Sequence, residues 1–511
     1  MMEKGRTFFA FRNALVTGIV TFLNFPIQFV NRYFMVHYLG VTYLGLTSLF
    51  TNILSVLSLA DLGIGTSIVF LLYKPLANHD MRKLSGIMSF YRHIYQAIAG
   101  VIFILGMCLI PFLKYIVGSK INYPHIYSLF IIYLLGSVTS YLFSYNQTLL
   151  YADQRNHIVS WANLIVTYVM LTLQIVTVLL FKNPLLYAAL FVFSNFITNI
   201  IVSIITNRIY KFNKYKKQKI SYDEKTLLKQ NVVGNMFLRI SGVVVTGTDN
   251  IFLSMFAGVT IVGLYANYVT LTNVIQRIIS QMIGAVTGSI GNFVTQRDTV
   301  SSEKLFFNLQ FINFIFVSMA SLGICYLSND IITIWLGKKY IIGQFDIILI
   351  AFSFYIMNYR MIGWNFISVY GLAQYMKAFS INEMLVNVGF TLLFMTFLHL
   401  KLTGILLGTI VSTLLTVGWQ DPYIIFHHAF KTSIKKYFQK YFYNLFILIL
   451  EFIIFAILLR SFRNFRLSIL QQLSILIPLI VVLSCLIPCL FYIRANEIKY
   501  MVRIFNRLLR R

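Results

Sequence analysis

The chain has 511 residues, of which 58% are hydrophobic and only 11% are charged, with a mean hydropathy of +0.77. A soluble domain carries about 25% charged residues, and a lipid-facing β-barrel alternates apolar and polar residues, so long continuous apolar runs predict an all-α integral membrane protein. The net charge of +27 lies mostly in short segments between those runs, which favours the lipid bilayer as partner and argues against nucleic acid.

Fourteen transmembrane helices are predicted, since each needs about 20 apolar residues. They lie at residues 13–37, 41–73, 94–118, 125–151, 158–181, 184–206, 231–257, 260–290, 305–329, 342–370, 379–399, 402–426, 442–460 and 469–493. Basic residues are concentrated in the connections after the even-numbered helices and in the C-terminal tail. By the positive-inside rule, this bias places both termini in the cytoplasm.

A short stretch of the first hairpin recurs 218 positions later, as NRYFMVHYLGVTYLGLT (31–47) and DNIFLSMFAGVTIVGLY (249–265). The identical pairs are Phe34 and Phe252, Gly40 and Gly258, Val41 and Val259, Thr42 and Thr260, Gly45 and Gly263, and Leu46 and Leu264. Such an echo indicates internal duplication, with the substrate path expected between the halves. Charge is not repeated, because Asp249 falls opposite Asn31 and Asn250 opposite Arg32. We hypothesise that this asymmetry orients the substrate.

The longest basic segment, residues 207–230, separates helices one to six from helices seven to twelve. We therefore predict an N-terminal lobe at 1–210, a basic cytoplasmic linker at 211–230 and a C-terminal lobe at 231–426. Two accessory helices and a basic cytoplasmic tail follow at 427–511. Because each lobe holds an even number of helices, both lobes start from the same side and form a parallel repeat.

No motif for covalent chemistry is present: there is no Walker loop, no HExxH and no GxSxG. Cys485 and Cys489 are four residues apart on one helical face, but further metal ligands are lacking, so small core residues are the better interpretation. We predict a membrane transporter and not an enzyme, with no metal, no cofactor and no ATP as direct energy source.

Arginines inside the predicted helices are the candidate site. A charged residue in hydrocarbon costs about 2.5 to 3.5 kcal/mol, so it usually faces a cavity or a partner. Arg277 and Arg360 lie mid-way along the eighth and tenth predicted helices. Arg239 lies about two turns into the seventh helix and Arg32 towards the outer end of the first. Long side chains near helix ends also reach the interface, so cavity lining and snorkelling stay open for these last two.

The candidate acids within the lobes are two, Asp61 in the second helix and Asp249 in the seventh. Each is a candidate for pairing with an arginine, binding a cation or carrying a coupling proton. Four arginines against two acids favour an anionic substrate, because arginine forms two bonds to phosphate or carboxylate oxygens. The same excess disfavours an exporter of organic cations.

Five stretches together resemble a known family. They are LADLGIGTSIVFLLYKPLANHD (59–80), LLYADQRNHIVS (149–160), TDNIFLSMFAGVTIVGLYANY (248–268), IWLGKKYIIGQFD (334–346) and DPYIIFHHAFK (421–431). In this order they resemble bacterial polysaccharide flippases of the Wzx type, in the multidrug/oligosaccharidyl-lipid/polysaccharide (MOP) exporter superfamily. The most similar versions belong to capsule and exopolysaccharide clusters of Gram-positive bacteria. Asp61 stands where the family usually has Glu, which keeps a carboxylate and changes its geometry.

The resemblance implies two six-helix lobes plus two accessory helices in the bacterial plasma membrane. It implies alternating access that moves undecaprenyl-diphosphate-linked oligosaccharide repeat units from the cytoplasmic to the outer leaflet for capsule or exopolysaccharide synthesis. Relatives hold this anionic cargo with basic residues in a central cavity. By helix placement, the substrate-binding candidates here are Arg32, Arg239, Arg277 and Arg360. H+ or Na+ is the candidate coupling ion, with Asp61 and Asp249 as ion-coupling or ion-pair residues.

Two alternatives stay open. The first is an ion-coupled exporter of small drugs with the same fold, whose deletion would change resistance to cationic compounds and leave the polysaccharide intact. The second is a glycosyltransferase or polymerase of the same pathway, which would need a large polar loop or acidic catalytic motifs. Neither feature is visible in the sequence.

Overall fold

The computed structural model describes the chain except for residues 1, 62–63, 118–122, 213–214, 216–217, 219, 464–467 and 510–511. Every regular element of the described residues is helical. The α-helices are α1 (Met2–Phe34), α2 (Gly40–Leu57), α3 (Ile64–Ala77), α4 (Met81–Leu109), α5 (Leu113–Val117), α6 (Ile126–Ala152), α7 (Asn156–Phe181), α8 (Pro184–Tyr210), α9 (Tyr222–Ala257), α10 (Val259–Gln296), α11 (Thr299–Trp335), α12 (Gln344–Tyr359), α13 (Met361–Val369), α14 (Met376–Thr396), α15 (Leu402–Leu415), α16 (Val417–Ile424), α17 (Lys435–Arg463), α18 (Ile469–Phe491) and α19 (Asn496–Leu509).

This architecture confirms the all-α membrane fold, and each of the fourteen predicted segments coincides with one helix or with consecutive helices. Over the described residues, twelve stretches are long and apolar enough to cross a membrane. The two numbers differ because one stretch, Gly18–Leu57, joins parts of the first two predicted helices, and because α10 is not among the twelve. The chain is therefore a multi-pass membrane protein.

Helix starts follow local capping chemistry. Ser221 and Glu224 form a capping box at the start of α9, in which the Ser221 hydroxyl accepts from the Glu224 N–H and the Glu224 carboxylate accepts from the Ser221 N–H. Asn183 caps α8 ahead of Pro184, and the Asp80 carboxylate caps α4. These side chains satisfy backbone N–H groups that have no partner within the helix, so they fix where each helix begins.

Several predicted helices are interrupted. The second is split by a 3-10 turn at Ser58–Asp61 between α2 and α3, and the tenth breaks at Arg360 between α12 and α13. The twelfth breaks at Thr416 between α15 and α16 and continues into a π-helix at Ile425–Phe430. A second π-helix, Met35–Leu39, precedes α2. Interrupted membrane helices are characteristic of transporter binding sites, because they expose backbone polar groups at membrane depth.

The chain divides into two compact units, residues 1–266 and 267–511. In the first unit, α6 packs on α4 and α8, α1 packs on α7, and α9 packs on α2 and α3. In the second, α11 packs on α12 and α18, and α14 packs on α15. The first unit extends past the predicted linker at 211–230 because α9 and the first turns of α10 pack against the N-terminal helices. The predicted lobe boundaries stay a prediction, and part of the linker lies outside the described residues.

The echoed stretches have the same backbone shape and pack on one another within the first unit. Gly40 and Gly258 both have a positive φ, +86° and +91°, at the start of α2 and just before α10. Glycine adopts this conformation without the steric cost that a side chain brings. The Thr42 and Thr260 hydroxyls lie 3.4 Å apart, so equivalent residues of the two copies meet directly.

Candidate functional site

The first charged cluster lies at the 3-10 turn that follows α2. Asp61 is 5% exposed, and its Oδ2 lies 3.0 Å from Nη2 of Arg239, which α9 supplies and which is 39% exposed. The Tyr95 hydroxyl, from α4, lies beside the same carboxylate and accepts a 2.9 Å hydrogen bond from Tyr91. An ion pair with one buried and one partly exposed member leaves part of the guanidinium open to a second anion.

The second cluster lies in the other compact unit, where α12 meets α13. Arg360 donates from Nε to Asp421 Oδ2 at 2.8 Å, and its Nη2 lies 2.7 Å from the same oxygen. Trp364 Nε1 also donates to that oxygen, at 3.1 Å, and Glu383 Oε1 lies 3.7 Å from Arg360 Nη1. The Arg360 side chain is 9% exposed and that of Asp421 2%. With both carboxyl groups ionised, this cluster carries one net negative charge.

Both clusters sit where a helix is interrupted. Asp61 belongs to the turn between α2 and α3, Arg360 to the break between α12 and α13, and Asp421 to the short α16 that follows the break at Thr416. Discontinuous helices build binding sites in transporters by placing polar groups at membrane depth. At the Arg360 break the freed Asn358 and Tyr359 carbonyl oxygens accept from Asn313 and Gln310, so the charged side chains are what remains for a ligand. The breaks and the charges therefore mark the same two candidate sites.

The remaining predicted site residues are Arg32, Asp249 and Arg277. Arg32 is half-buried in the last turn of α1, beside Tyr133 and Tyr187. Arg277 is exposed, on α10. Asp249, on α9, is partly buried near Tyr265, and its Oδ1 accepts no hydrogen bond among the described residues. The structure thus brings Asp61 to Arg239, and it pairs Arg360 with Asp421, which was not among the predicted site residues.

Sequence reasoning missed Asp421 and Glu383. Both lie inside predicted helices, at 402–426 and 379–399, and the count of two acids within the lobes omitted them. With these two included, together with Asp346 in the predicted helix at 342–370, the arginine excess that favoured an anionic substrate disappears, so that count was wrong. Asp421 stands in the quoted stretch DPYIIFHHAFK, and a full list of acids within predicted helices would have found it. Its pairing with Arg360, 61 positions away, requires the tertiary fold.

Comparison with known proteins decides the family. A family model described as "Polysaccharide biosynthesis protein" matches residues 10–287, more than half of the chain. The chain belongs to this family. The matched range includes the Asp61–Arg239 pair, both echoed stretches and Arg277, and it ends before the Arg360 cluster. No curated protein matches the chain.

Several solved transporter structures share the fold of this chain. The lipid II flippase MurJ, in an inward closed conformation, matches with a TM-score of 0.63 and 13% identity, over 94% of this chain and 99% of that one. A multidrug resistance MATE family transporter of the MOP superfamily, facing inward, matches with a TM-score of 0.62 and 14% identity, over 80% of this chain and 98% of that one. The MATE transporter VcmN of Vibrio cholerae matches with a TM-score of 0.58 and 13% identity, over 83% of this chain and 97% of that one. The resemblance to the MOP superfamily is confirmed in family and in fold.

Proposed function

We propose that this protein is a flippase that moves an undecaprenyl-diphosphate-linked oligosaccharide from the cytoplasmic to the outer leaflet of a bacterial plasma membrane, for capsule or exopolysaccharide synthesis. The observation that carries the proposal is the polysaccharide-biosynthesis family match on a chain with the fold of a lipid II flippase. Both termini lie in the cytoplasm in this proposal, as the basic connections predict. Alternating access exposes the binding residues first to one leaflet and then to the other.

The arginines divide into two groups by their surroundings. Arg277 is exposed, and Arg239 is partly exposed beside Asp61, so both have N–H groups available for diphosphate oxygens. Arg360 is largely buried and paired with Asp421, so its proposed role is to hold α12, α13 and α16 in place. Arg32, half-buried beside two tyrosines, is the fourth candidate for the cargo.

The Asp61–Arg239 pair suggests how cargo binding is coupled to an ion. A diphosphate competes with the Asp61 carboxylate for Arg239, because both are anions that accept from the same guanidinium. Binding H+ or Na+ at Asp61 frees Arg239 from its partner and so favours cargo binding by linkage. Asp249, with one buried oxygen that accepts no hydrogen bond among the described residues, is the second candidate for this ion.

A deletion strain complemented with plasmid-borne variants tests the proposal. Wild-type protein is expected to restore surface polysaccharide, whereas Arg277→Ala is expected to reach the membrane in normal amount without restoring it. Arg297→Ala is the matched control, because Arg297 is also exposed but lies just past the end of α10. Full polysaccharide in the Arg277→Ala strain would contradict the assigned role, and full polysaccharide in the deletion strain would contradict the function.

The second candidate function is an ion-coupled exporter of small drugs. It is favoured by the fold shared with MATE transporters and by three carboxylates, the buried Asp61 and Asp421 and the partly buried Glu383, which suit a cationic cargo. The same deletion strain separates the two functions. Hypersensitivity to cationic drugs with an intact polysaccharide would favour the exporter.

A further inference from the structure

The first compact unit contains a cavity of about 580 Å³ between α2, α4, α6, α7 and α8. This volume lies within the range of about 300–1,000 Å³ that is usual for small-molecule sites. Fifteen of its twenty lining residues are Ser, Thr, Tyr, Asn or Gln. None of the twenty is Asp, Glu, Lys, Arg or His. Hydroxyl and amide groups are costly to bury in an apolar environment without partners, and their number around one cavity points to a polar, uncharged occupant.

One face of α6 supplies the long wall of the cavity. The residues on it are Tyr133, Ser137, Ser140, Ser144, Gln147 and Tyr151. Their spacing of three and four residues keeps them on a single face through five turns, a length of about 27 Å. The wall is therefore long enough for several linked rings and far longer than one small molecule requires.

Polar residues in membrane helices often serve only to join helices by hydrogen bonds. Part of the cavity wall does so: Gln147 donates to Asn199, and Asn199 Nδ2 donates to the Ser140 carbonyl oxygen at 3.1 Å. These bonds fix α6 against α8. Asn163 and Asn195, by contrast, are exposed at the cavity lining, and among the described residues no hydrogen bond from either side chain joins two helices. Asn163 accepts only from Thr167 of its own helix there.

Serines of α6 and of the turn after α2 present oxygens to the cavity that can accept hydrogen bonds. Ser140 donates its hydroxyl hydrogen to the Ser137 carbonyl at 2.7 Å, and Ser58 donates to the Ser55 carbonyl at 2.5 Å. Each oxygen then keeps lone pairs for a donor from a ligand. Aromatic residues stand among them, with Tyr133 and Phe191 6.1 Å apart between ring centroids, and Tyr95 and Tyr141 5.5 Å apart. Acceptor oxygens, amides and aromatic rings together match a molecule that has many hydroxyl groups and flat C–H faces.

We infer that this cavity is a binding site for the uncharged sugar residues of the cargo, laid along α6. The inference rests on the proposed function and adds where the sugars bind. A diphosphate or an organic cation would lack a counter-charge on this lining, whereas neutral hydroxyl groups need none. Tyr95 both lines the cavity and lies beside Asp61, so the sugar site adjoins the Arg239 pair proposed for the diphosphate.

The test is calorimetric titration of the full-length protein in nanodiscs with two probes. One is the oligosaccharide repeat cut from the surface polymer of the host cell, free of lipid and phosphate, and the other is undecaprenyl diphosphate without sugar. Ser144→Phe fills the cavity and is expected to weaken oligosaccharide binding at least tenfold while it leaves undecaprenyl diphosphate binding unchanged. Ser128→Phe is the matched control, because Ser128 is an exposed residue of α6 outside the lining.

A second variant protects the test against misfolding of Ser144→Phe. Ser137→Ala with Ser144→Ala keeps the cavity open and removes two hydroxyl groups, and it is expected to weaken oligosaccharide binding about tenfold. Equal oligosaccharide binding by wild type and both variants would overturn the sugar site. The sugar site would also be overturned if wild-type protein flipped the lipid-linked cargo yet bound no free oligosaccharide. That result would leave the proposed function intact. Wild-type protein that binds the oligosaccharide in this cavity yet flips no lipid-linked cargo would overturn the proposed function alone.

Discussion

Gly45 and Gly263, which are equivalent residues of the two echoed stretches, face one another where α2 packs on α10. A Cβ built on Gly45 would lie 1.9 Å from the Val259 carbonyl oxygen, and one on Gly263 would lie 2.2 Å from the Val41 carbonyl oxygen. Val41 and Val259 are themselves equivalent, so the contact is reciprocal. Only glycine permits two helix backbones to approach this closely, as in other small-residue helix contacts in membranes. The duplicated sequence is thus retained where its two copies touch.

This contact predicts that Gly45→Ala and Gly263→Ala each lower stability and export. The added methyl group meets backbone atoms that cannot rotate away, and overpacking of this kind costs about 1–3 kcal/mol. Gly100→Ala is the matched control, because a Cβ on Gly100 in α4 meets nothing within 4 Å. Alanine favours helix over glycine by about 1 kcal/mol, so the control should be unchanged or slightly more stable. The midpoint of thermal unfolding in detergent measures the loss of stability. Equal midpoints for Gly45→Ala, Gly263→Ala and Gly100→Ala would contradict the predicted overpacking.

The Arg360 cluster predicts that Arg360→Ala reduces the amount of folded protein. The substitution leaves Asp421 buried without its cation, which costs about 3–5 kcal/mol. Arg360→Met combined with Asp421→Asn removes both charges and is expected to recover most of the folded protein. Immunoblots of membranes report the amount, and surface polysaccharide reports export. Folded double variant without polysaccharide would show that Arg360 contacts the cargo, contrary to the structural role proposed here.

A third prediction concerns the first turns of α4 and α9, where Lys83 Nζ lies 2.7 Å from Glu224 Oε2. Partial burial raises the pKa of Glu224, but hydrogen bonds from Lys83 and Ser221 outweigh it, so the pKa lies below its ordinary value. The pair therefore contributes stability above the unfolded-state pKa of about 4.3, and this contribution is lost as the pH falls through the folded-state pKa.

Glu224→Gln keeps the capping geometry and removes the ion pair. The variant is expected to be less stable than wild type at pH 7 by up to about 1 kcal/mol, because the pair is partly exposed. The difference should shrink as the pH falls below about 4. In a Lys83→Met background the same substitution should have little effect at either pH. A difference that persists at low pH, or that grows there, would contradict the assignment to this pair.

The sequence predicted the helices well because a membrane span requires an uninterrupted apolar run. The predicted helices 125–151 and 158–181 differ from α6 and α7 by one or two residues at their starts. The interruptions were missed, since the turn at Ser58–Asp61 has apolar runs on both sides that together are long enough for one continuous helix. The Wzx-type resemblance correctly indicated the family and the fold.

The candidate site was only partly predictable. Arg239 and Asp61 were both selected, but their contact joins residues far apart in sequence. Asp421 was overlooked, and the polar face of α6 was overlooked too, although its spacing is readable in the printed sequence. A search for polar stripes at helical spacing inside predicted spans would have found it. The arrangement of α6 with α2, α4, α7 and α8 that turns this stripe into a cavity required the structure.

Reconstitution into liposomes tests the flippase proposal most directly. Purified protein is placed in liposomes that carry the lipid-linked repeat unit, and a membrane-impermeant glycosidase measures the fraction of sugar that reaches the outer leaflet. We predict that wild-type protein exposes the inner-leaflet pool to the enzyme and that Arg277→Ala protein leaves it protected. The proposed function would be contradicted if wild-type protein left the sugar as protected as it is in protein-free liposomes while the same preparation transported a cationic dye.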